Sequence, residues 1–282
     1  MPPEQTQADL ELVPTSDGSS TLLHTGFNQT YHSINGALQE ARHVFLQQGL
    51  QYFLDQKGTG LDQNGTGLDQ NGTGLDQNGT GLEQNGRNPD QSRTNAASVL
   101  EVGFGTGLNF LVSAAYCLQN GISLDYTGIE PFPVNPETLR QTNYGDFLPG
   151  DENKEAFLAW YPGEEPLYLP GTPGAPAALG SSAASAASGT IHLNLILKPV
   201  LETGPLPPAD IVYFDAFAPA TQPEMWTAEV ISHVVAGLKT GGVFVSYSIT
   251  GNLKRILKGL GFRVEKPRGA AGKREMIRAV KI

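Results

Sequence analysis

The stretch Val99-Leu100-Glu101-Val102-Gly103-Phe104-Gly105-Thr106-Gly107-Leu108-Asn109 decides the fold of this chain. Its apolar start predicts a short strand, its alternate glycines predict a tight turn, and a helix is expected to follow. Because glycine has no side chain, the backbone N–H groups of such a turn can approach a ligand closely. A strand, a glycine turn and a helix in this order are typical of sites for an adenosine-containing cofactor, although an ordinary turn has the same composition.

The spacing of the glycines discriminates between cofactors. A dinucleotide fingerprint needs G-x-G-x-x-G, but Leu108 stands where its third glycine would be. With Glu101 included, the pattern is E-x-G-x-G-x-G, which resembles the first motif of methyltransferases that depend on S-adenosyl-L-methionine (SAM). The cofactor-binding residues that we assign in this motif are Glu101, Gly103, Phe104, Gly105, Thr106, Gly107 and Asn109.

Predicted strands alternate with predicted helices along the chain. A helix is expected at 34–50; after the glycine turn, strands are expected at 124–129, 191–197, 210–214 and 242–248, and helices at 107–119, 223–238 and 251–259. This order predicts an α/β fold, a mostly parallel sheet with helices on both faces. Two closing strands, 262–266 and 276–282, have no helix between them and are expected to pair antiparallel.

Acidic residues are expected at one edge of this sheet. Glu130 ends the second strand and Asp215 ends the fourth, while Glu101 lies on the first strand. Ligands of such sheets bind outside the carboxyl ends of the strands, so the end of the first strand, with Gly103–Gly107, should converge with Glu130 and Asp215 on one crevice. Glu130 follows the first strand at the interval where an acidic residue meets a ribose hydroxyl, which assigns it to the cofactor; a solvated carboxylate is the alternative.

Two low-complexity segments divide the chain. Residues 58–95 repeat Gly-Leu-Asp-Gln-Asn-Gly-Thr every seven positions, and a single Leu in each repeat is too little for a coiled coil. We interpret them as a disordered insert; a calcium-binding repeat is the alternative, although its period of nine does not match. The insert separates an extension on the substrate side, 1–57, from the main domain, 96–282, which contains a flexible Pro/Ala/Gly/Ser loop at 163–189.

Composition excludes several classes of protein. Cys117 is the one cysteine of the 282 residues, so neither an intrachain disulfide nor a thiolate zinc site is possible, and no metal is expected. The polar start of the chain lacks the layout of a signal peptide, and no apolar run is long enough to span a membrane. We therefore expect a cytoplasmic protein with no membrane partner.

Charge is distributed unevenly. The net charge of −10 argues against a nucleic-acid partner. Residues 252–282, however, hold ten lysines and arginines against two glutamates. A basic cluster on an acidic body predicts contact with phosphates, with an ordinary solvated surface as the alternative.

A more specific resemblance depends on motifs spread along the chain. They are Thr15–Leu22, Gln29-Thr30-Tyr31-His32-Ser33, Gly36-Ala37-Leu38-Gln39-Glu40, the glycine turn, Phe214-Asp215-Ala216-Phe217-Ala218-Pro219 with Pro223-Glu224-Met225-Trp226, and Gly272-Lys273-Arg274-Glu275-Met276. Together they resemble the tRNA (5-methylaminomethyl-2-thiouridine) methyltransferase family in its stand-alone form. The resemblance implies the Rossmann-like fold of class I SAM-dependent methyltransferases.

The resemblance also implies a reaction. The family transfers the SAM methyl group to the 5-aminomethyl group of the wobble uridine, which converts 5-aminomethyl-2-thiouridine into 5-methylaminomethyl-2-thiouridine in tRNA. The implied partner is the tRNA anticodon loop. One departure concerns the adenine: relatives keep an acidic residue after the third strand, but residues 192–199 contain no Asp, so Asn194 or the backbone would have to substitute.

Asp215 is the expected catalytic residue. Methyl transfer needs a neutral amine held in line with the methyl carbon, and a carboxylate at a strand end can hold the amine and accept its proton. A helix-capping or turn carboxylate is the alternative role. The residues that we assign to substrate binding are Tyr31, His32, Phe217, Pro219, Trp226, Tyr247, Lys273 and Arg274.

These assignments have structural alternatives. Core packing is the commoner role of a single aromatic residue, and a lone histidine is more often structural than catalytic. Two other functions stay open: a small-molecule transferase such as an aminopropyltransferase, and a catalytically silent RNA-binding protein. The sequence leaves the oligomeric state open.

Overall fold

A computed structural model describes residues 10–58, 96–171, 189–270 and 272–282. The strands are β1 (Leu10–Pro14), β2 (Ser20–His24), β3 (Gln29–Thr30), β4 (Ala96–Val102), β5 (Ser123–Ile129), β6 (Leu167–Leu169), β7 (Ile191–Ile196), β8 (Ala209–Phe214), β9 (Leu238–Ser246), β10 (Phe262–Glu265) and β11 (Ile277–Lys281). The helices are α1 (Ala37–Glu40), α2 (Tyr52–Gly58), α3 (Leu108–Asn120), α4 (Pro136–Gln141), α5 (Asp151–Trp160), α6 (Ala228–Val235) and α7 (Gly251–Gly259).

The predicted sheet is present, with β4 near its centre. Eight strands follow the order β10-β11-β9-β8-β4-β5-β7-β6. The inner pairs β4–β5, β4–β8, β5–β7 and β8–β9 are parallel. The edges are antiparallel: β6 pairs with β7, and β11 lies between β9 and β10. The α/β fold and its antiparallel closing strands are confirmed, and a parallel centre places the carboxyl ends of five strands along one edge.

Helices cover both faces of this sheet. On one face, α1 continues through a π-helical segment, Ala41–Gln51, into α2. Gly49 allows this helical region to lie close to the sheet, since a Cβ there would be 2.8 Å from the Tyr213 ring. On the other face, α6 and α7 pack through residues such as Ile231 and Leu257, which are fully buried. Two separate apolar layers therefore hold the strands rigid below the site.

The N-terminal segment adds a small antiparallel sheet, β1–β2–β3. Asp17 shapes the turn between β1 and β2, because its carboxylate accepts hydrogen bonds from Ser19 N at 3.1 Å and from Thr15 Oγ1 at 2.7 Å. The same carboxylate accepts from Gln39 N at 2.9 Å, which ties the turn to α1. This sheet brings residues 29–34 over the carboxyl ends of the parallel strands.

Several expectations need correction. The predicted helix 223–238 is a 3₁₀ turn, Pro223–Trp226, followed by α6, because Thr227 is extended and its hydroxyl caps Val230 N at 3.3 Å. The predicted loop 163–189 contains β6, since Leu167 and Leu169 are buried against β7. The predictions for 172–188 and for the heptad insert after residue 58 lie outside the described residues.

Other elements were not predicted. α4, α5 and the 3₁₀ turn Tyr144–Phe147 lie in a region where no element was expected. Across the described residues, every helix is too short or too polar to cross a bilayer. In the same ranges, no cluster of His, Cys, Asp and Glu is arranged as a metal site.

Candidate active site

A cavity of about 1040 Å³ opens at the carboxyl ends of β4, β5 and β8. Its walls include Gly103, Glu130 and Asp215, and residues 29–34 form the opposite side. The structure therefore brings the glycine turn and the two strand-end carboxylates together, as the sequence predicts. Glu101 belongs to the layer below, since its side chain is fully buried.

The glycine turn has a conformation that requires glycine. Gly103, Gly105 and Gly107 have φ values of 85°, 52° and 73°, in the left-handed region. A Cβ on Gly103 would lie 2.6 Å from the Asp215 carbonyl oxygen, and one on Gly105 would lie 2.9 Å from the Tyr31 ring. The alternate spacing in the sequence thus reflects backbone geometry and close packing, and it leaves the turn open to the cavity.

Glu130 is fixed by the turn that it faces. Its Oε2 accepts a hydrogen bond from Gly105 N at 2.9 Å, and its Oε1 accepts from Phe132 N at 3.0 Å. Burial raises the pKa of Glu130 to about 7, although both hydrogen bonds favour the charged form. A carboxylate held by two backbone donors in a cavity wall can receive the paired hydroxyls of a ribose.

A buried hydrogen-bond network connects Glu101 with Asp215. Asn109 Nδ2 donates to Glu101 Oε1 and to Asp215 Oδ2, each at 2.8 Å. Tyr126 donates its hydroxyl to Glu101 Oε2 at 2.7 Å, and burial raises the pKa of Glu101 well above its usual range. Asn109 Oδ1 is buried with no hydrogen-bond partner in the described part of the chain. Glu101 and Asn109 thus lie below the cavity and orient Asp215.

Asp215, the expected catalytic residue, presents its carboxyl group to the cavity. It follows β8 directly, and its side chain is partly exposed to the cavity. Burial raises its pKa to about 8, and the nearby charge of Glu40 adds to the rise. A carboxyl group that exchanges its proton near neutral pH suits proton transfer to or from an amine.

The structure adds Glu40 to the cavity, a residue that we did not select from the sequence. Its Oε2 accepts from Ser33 N at 2.8 Å, and its Oε1 accepts from Lys273 Nζ at 2.6 Å. Lys273 also lies over the Tyr247 ring, with its ammonium 4.2 Å from the ring centroid. Lys273 is therefore part of the cavity wall, and its charge is compensated there by Glu40.

Comparison with known proteins fits this geometry. Residues 176–282 match a family described as S-adenosyl-L-methionine-dependent methyltransferase. This match covers the C-terminal part of the chain and confirms the cofactor that the motifs predicted, S-adenosyl-L-methionine. The resemblance that we predicted from the motifs is confirmed by relatives named "tRNA 5-methylaminomethyl-2-thiouridine biosynthesis bifunctional protein MnmC".

Two relatives and one solved structure show how far the similarity extends. MnmC of Pseudoalteromonas atlantica is 30% identical over 189 residues, 64% of this chain and 26% of the relative. MnmC of Aeromonas salmonicida is 26% identical over 273 residues, 92% of this chain and 34% of the relative. The chain thus spans about a quarter to a third of these relatives. MnmC2 from Aquifex aeolicus has the same fold, with a TM-score of 0.62 and 23% identity, covering 99% of this chain and 72% of that chain.

Aromatic residues divide between the cavity and the core. Tyr31, Phe217 and Tyr247 line the cavity, and the Tyr31 and Phe217 rings meet edge-on at 5.2 Å. Trp226 does not line it: the indole is buried, packs edge-on against Phe214, and donates Nε1–H to the Phe217 carbonyl at 2.9 Å. Trp226 therefore supports Phe217 from below and lies behind the cavity wall, where the substrate-binding assignment would have placed it in the wall itself.

His32 lines the cavity and also contacts the turn through its Nε2, which lies 3.1 Å from Thr106 Oγ1. Burial lowers the pKa of His32 to about 4, so the imidazole is neutral at physiological pH. Thr106 is itself fully buried, and its hydroxyl is directed to His32. This pair fixes the turn against the N-terminal segment, and the substrate-binding role of His32 stays a prediction.

The remaining predicted residues are placed as follows. Phe104 lines the cavity with a ring that is 2% exposed, whereas Gly107 and Pro219 do not line it. Arg274 lies outside this cavity and lines a second one.

A carboxylate that the sequence reading missed lies where the adenine side of the cavity is expected. Glu202 is exposed and lines the cavity, in a 3₁₀ turn (Val200–Glu202) beyond β7. Asn194, which we considered for this role, lies within β7 and does not line the cavity. Glu202 follows Pro199 by three positions, outside the segment 192–199 in which an acidic residue was expected.

Proposed function

We propose that this chain is a SAM-dependent methyltransferase that converts 5-aminomethyl-2-thiouridine into 5-methylaminomethyl-2-thiouridine at the wobble position of tRNA. The observation that carries this proposal is the contact between the glycine turn and Asp215, whose carbonyl oxygen leaves no room for a Cβ on Gly103. A carboxyl group beside a cofactor turn suits transfer to an amine. The MnmC relatives are named for the biosynthesis of 5-methylaminomethyl-2-thiouridine in tRNA, which is the source of the proposed substrate.

The residues of the cavity fit SAM. The turn offers glycine N–H groups that no side chain covers, and Glu130 offers a fixed carboxylate for the ribose. Glu202 offers an acceptor for the exocyclic amine of the adenine. When bound, SAM supplies an electrophilic methyl carbon on a sulfonium. Glu101 and Asn109 act from below, through the orientation of Asp215.

Asp215 takes the proton of the amine. An alkylammonium has no lone pair, so the substrate must lose a proton before it can attack. An ionised carboxylate with a pKa raised to about 8 is a stronger base than an ordinary aspartate, and Asn109 holds one of its oxygens. The other oxygen is available to hold the amine in line.

The aromatic residues recognise the base. Tyr31 and Phe217 form an edge-on pair in the cavity wall, on which an unpaired uracil can stack. The wobble base lies in the anticodon loop, which exposes it for insertion into a cavity. The anticodon loop is therefore the proposed partner, and the cytoplasm the proposed location.

Nucleoside analysis tests this function. Unmethylated tRNA is incubated with the protein and with SAM labelled on its methyl group, then digested and separated. We expect label in 5-methylaminomethyl-2-thiouridine, none with Asp215→Ala, and normal labelling with Glu229→Gln, a matched carboxylate change on the exposed side of α6. Label in a free polyamine from decarboxylated SAM would show an aminopropyltransferase, and tRNA binding without label would show a silent RNA-binding protein.

A further inference from the structure

A second cavity, of about 1020 Å³, lies beside the first and is lined by basic side chains. Arg42 and His43 come from the π-helical segment, while Arg268 and Arg274 come from the loop between β10 and β11. Lys273 lines both cavities, so the two meet at this residue. We propose that the second cavity is a groove for the sugar–phosphate backbone of the RNA whose base enters the first.

The charge of the groove supports this proposal. Arg42, Arg268 and Arg274 are exposed, whereas the chain as a whole carries a net charge of −10. Asp17 is the acidic residue of the lining, and its carboxylate already accepts hydrogen bonds from Ser19 and from Gln39 N. The three guanidinium groups therefore exceed the one carboxylate in charge, and that carboxylate is already hydrogen-bonded. Guanidinium groups bind phosphate in bidentate geometry.

Lys273 marks where the two cavities meet, and its charge is neutralised by an ion pair. Its ammonium is paired with the buried carboxylate of Glu40 at 2.6 Å and lies over the Tyr247 ring. The pair marks the boundary between the apolar walls of the first cavity and the basic walls of the second. A nucleotide inserted past this boundary would leave its flanking phosphates among the three arginines.

The groove is held in shape by contacts between its two sides. His43 Nε2–H donates to the Arg268 carbonyl at 2.7 Å, which joins the helical region to the loop. Within the loop, Gly269 N donates to the Arg274 carbonyl at 3.2 Å, and the backbones of Arg268 and Glu275 pair as an isolated antiparallel β-bridge. Glu275 is exposed beside the groove and does not line it. The basic side chains are thus presented by a fixed backbone.

This inference depends on the proposed function, and the test separates the two. The groove variant is Arg42→Gln with Arg268→Gln. The matched control is Arg255→Gln with Lys258→Gln, which removes the same charge from exposed positions of α7 on the other face of the sheet. The probe is an anticodon stem-loop RNA with 5-aminomethyl-2-thiouridine at the wobble position, and its affinity is measured by fluorescence anisotropy over a range of salt concentrations.

We expect the groove variant to bind the RNA roughly ten-fold more weakly or worse, with a salt slope lower by about 1.4 to 1.8. The control should bind like the wild type. SAM affinity, the thermal midpoint and methylation of the free nucleoside should be unchanged in both variants.

Two results would overturn the groove while the proposed function stands. One is normal RNA affinity and normal tRNA methylation in the groove variant. The other is equal weakening in the groove variant and the α7 control, which would indicate diffuse electrostatic attraction. If the wild type neither binds nor methylates the RNA, the proposed function itself fails, and the groove assignment fails with it.

Discussion

Asp215→Asn should make the protein more stable at alkaline pH while it abolishes methyl transfer. The amide has nearly the same shape as the carboxyl group and can still accept a hydrogen bond from Asn109. It cannot ionise, so it removes the free-energy cost of a charge in the cavity wall. The same cost raises the pKa of Asp215 and so makes its carboxylate a stronger base.

The magnitude follows from the pKa shift. The pKa of Asp215 rises from 3.8 to about 8, and one unit corresponds to about 1.36 kcal/mol, so the upper bound is roughly 5 to 6 kcal/mol. Because the side chain is partly exposed to the cavity, solvent screening reduces the effect, and we expect about 2 to 3 kcal/mol. A carboxyl group whose pKa is higher in the folded than in the unfolded protein adds to the stability of the folded state. This contribution is fully present below the unfolded pKa and is lost as pH rises through the folded pKa.

The assay is urea denaturation of the wild type and Asp215→Asn without ligand, from about pH 4 to pH 9. The two free energies of unfolding should be similar near pH 4, diverge in favour of the variant up to about pH 8, and then stay a constant distance apart. Glu229→Gln on α6 is the control and should show no pH-dependent difference. Parallel curves for wild type and Asp215→Asn at every pH would refute the raised pKa and the base that depends on it.

Three further predictions concern other parts of the site. Gly103→Ala should destabilise the protein by about 2 to 4 kcal/mol and remove SAM binding in calorimetry, because the new Cβ would lie 2.6 Å from the Asp215 carbonyl oxygen. Gly241→Ala is the control: Gly241 has a similar φ but no atom within 4 Å of the added Cβ, so the change should cost only about 1 to 2 kcal/mol. Asn109→Leu should lower kcat about 10²-fold with near-normal SAM affinity, since it releases the catalytic carboxylate; an unchanged kcat would contradict the network. Lys273→Met should destabilise by about 1 to 3 kcal/mol because it leaves Glu40 buried and unpaired, and adding Glu40→Gln should recover most of that loss in a double-mutant cycle.

Local patterns predicted the parts of the site that follow strands directly. The glycine turn was recognisable because its φ values and close contacts both require glycine at alternate positions. Glu130 and Asp215 were recognisable because each ends a buried parallel strand, and such strand ends meet at one edge. These features depend on neighbours in sequence and on a general rule of sheet topology.

Long-range pairs and side-chain directions were not predictable in this way. Glu40 and Lys273 are 233 positions apart, so no periodicity connects them. Trp226 follows the Phe-Asp-Ala-Phe-Ala-Pro motif closely, but the sequence does not show that its ring faces the core. Glu202 was missed because a 3₁₀ turn brings it back to the cavity after the strand has ended.

The central claim concerns where the methyl donor lies relative to the amine. A crystal structure with SAM and an aminomethyl nucleoside tests it most directly. We predict the sulfonium beside Gly103, ribose hydroxyls on Glu130, and the amine nitrogen within hydrogen-bond distance of Asp215. A donor bound away from the glycine turn, or an amine held away from Asp215, would contradict the account.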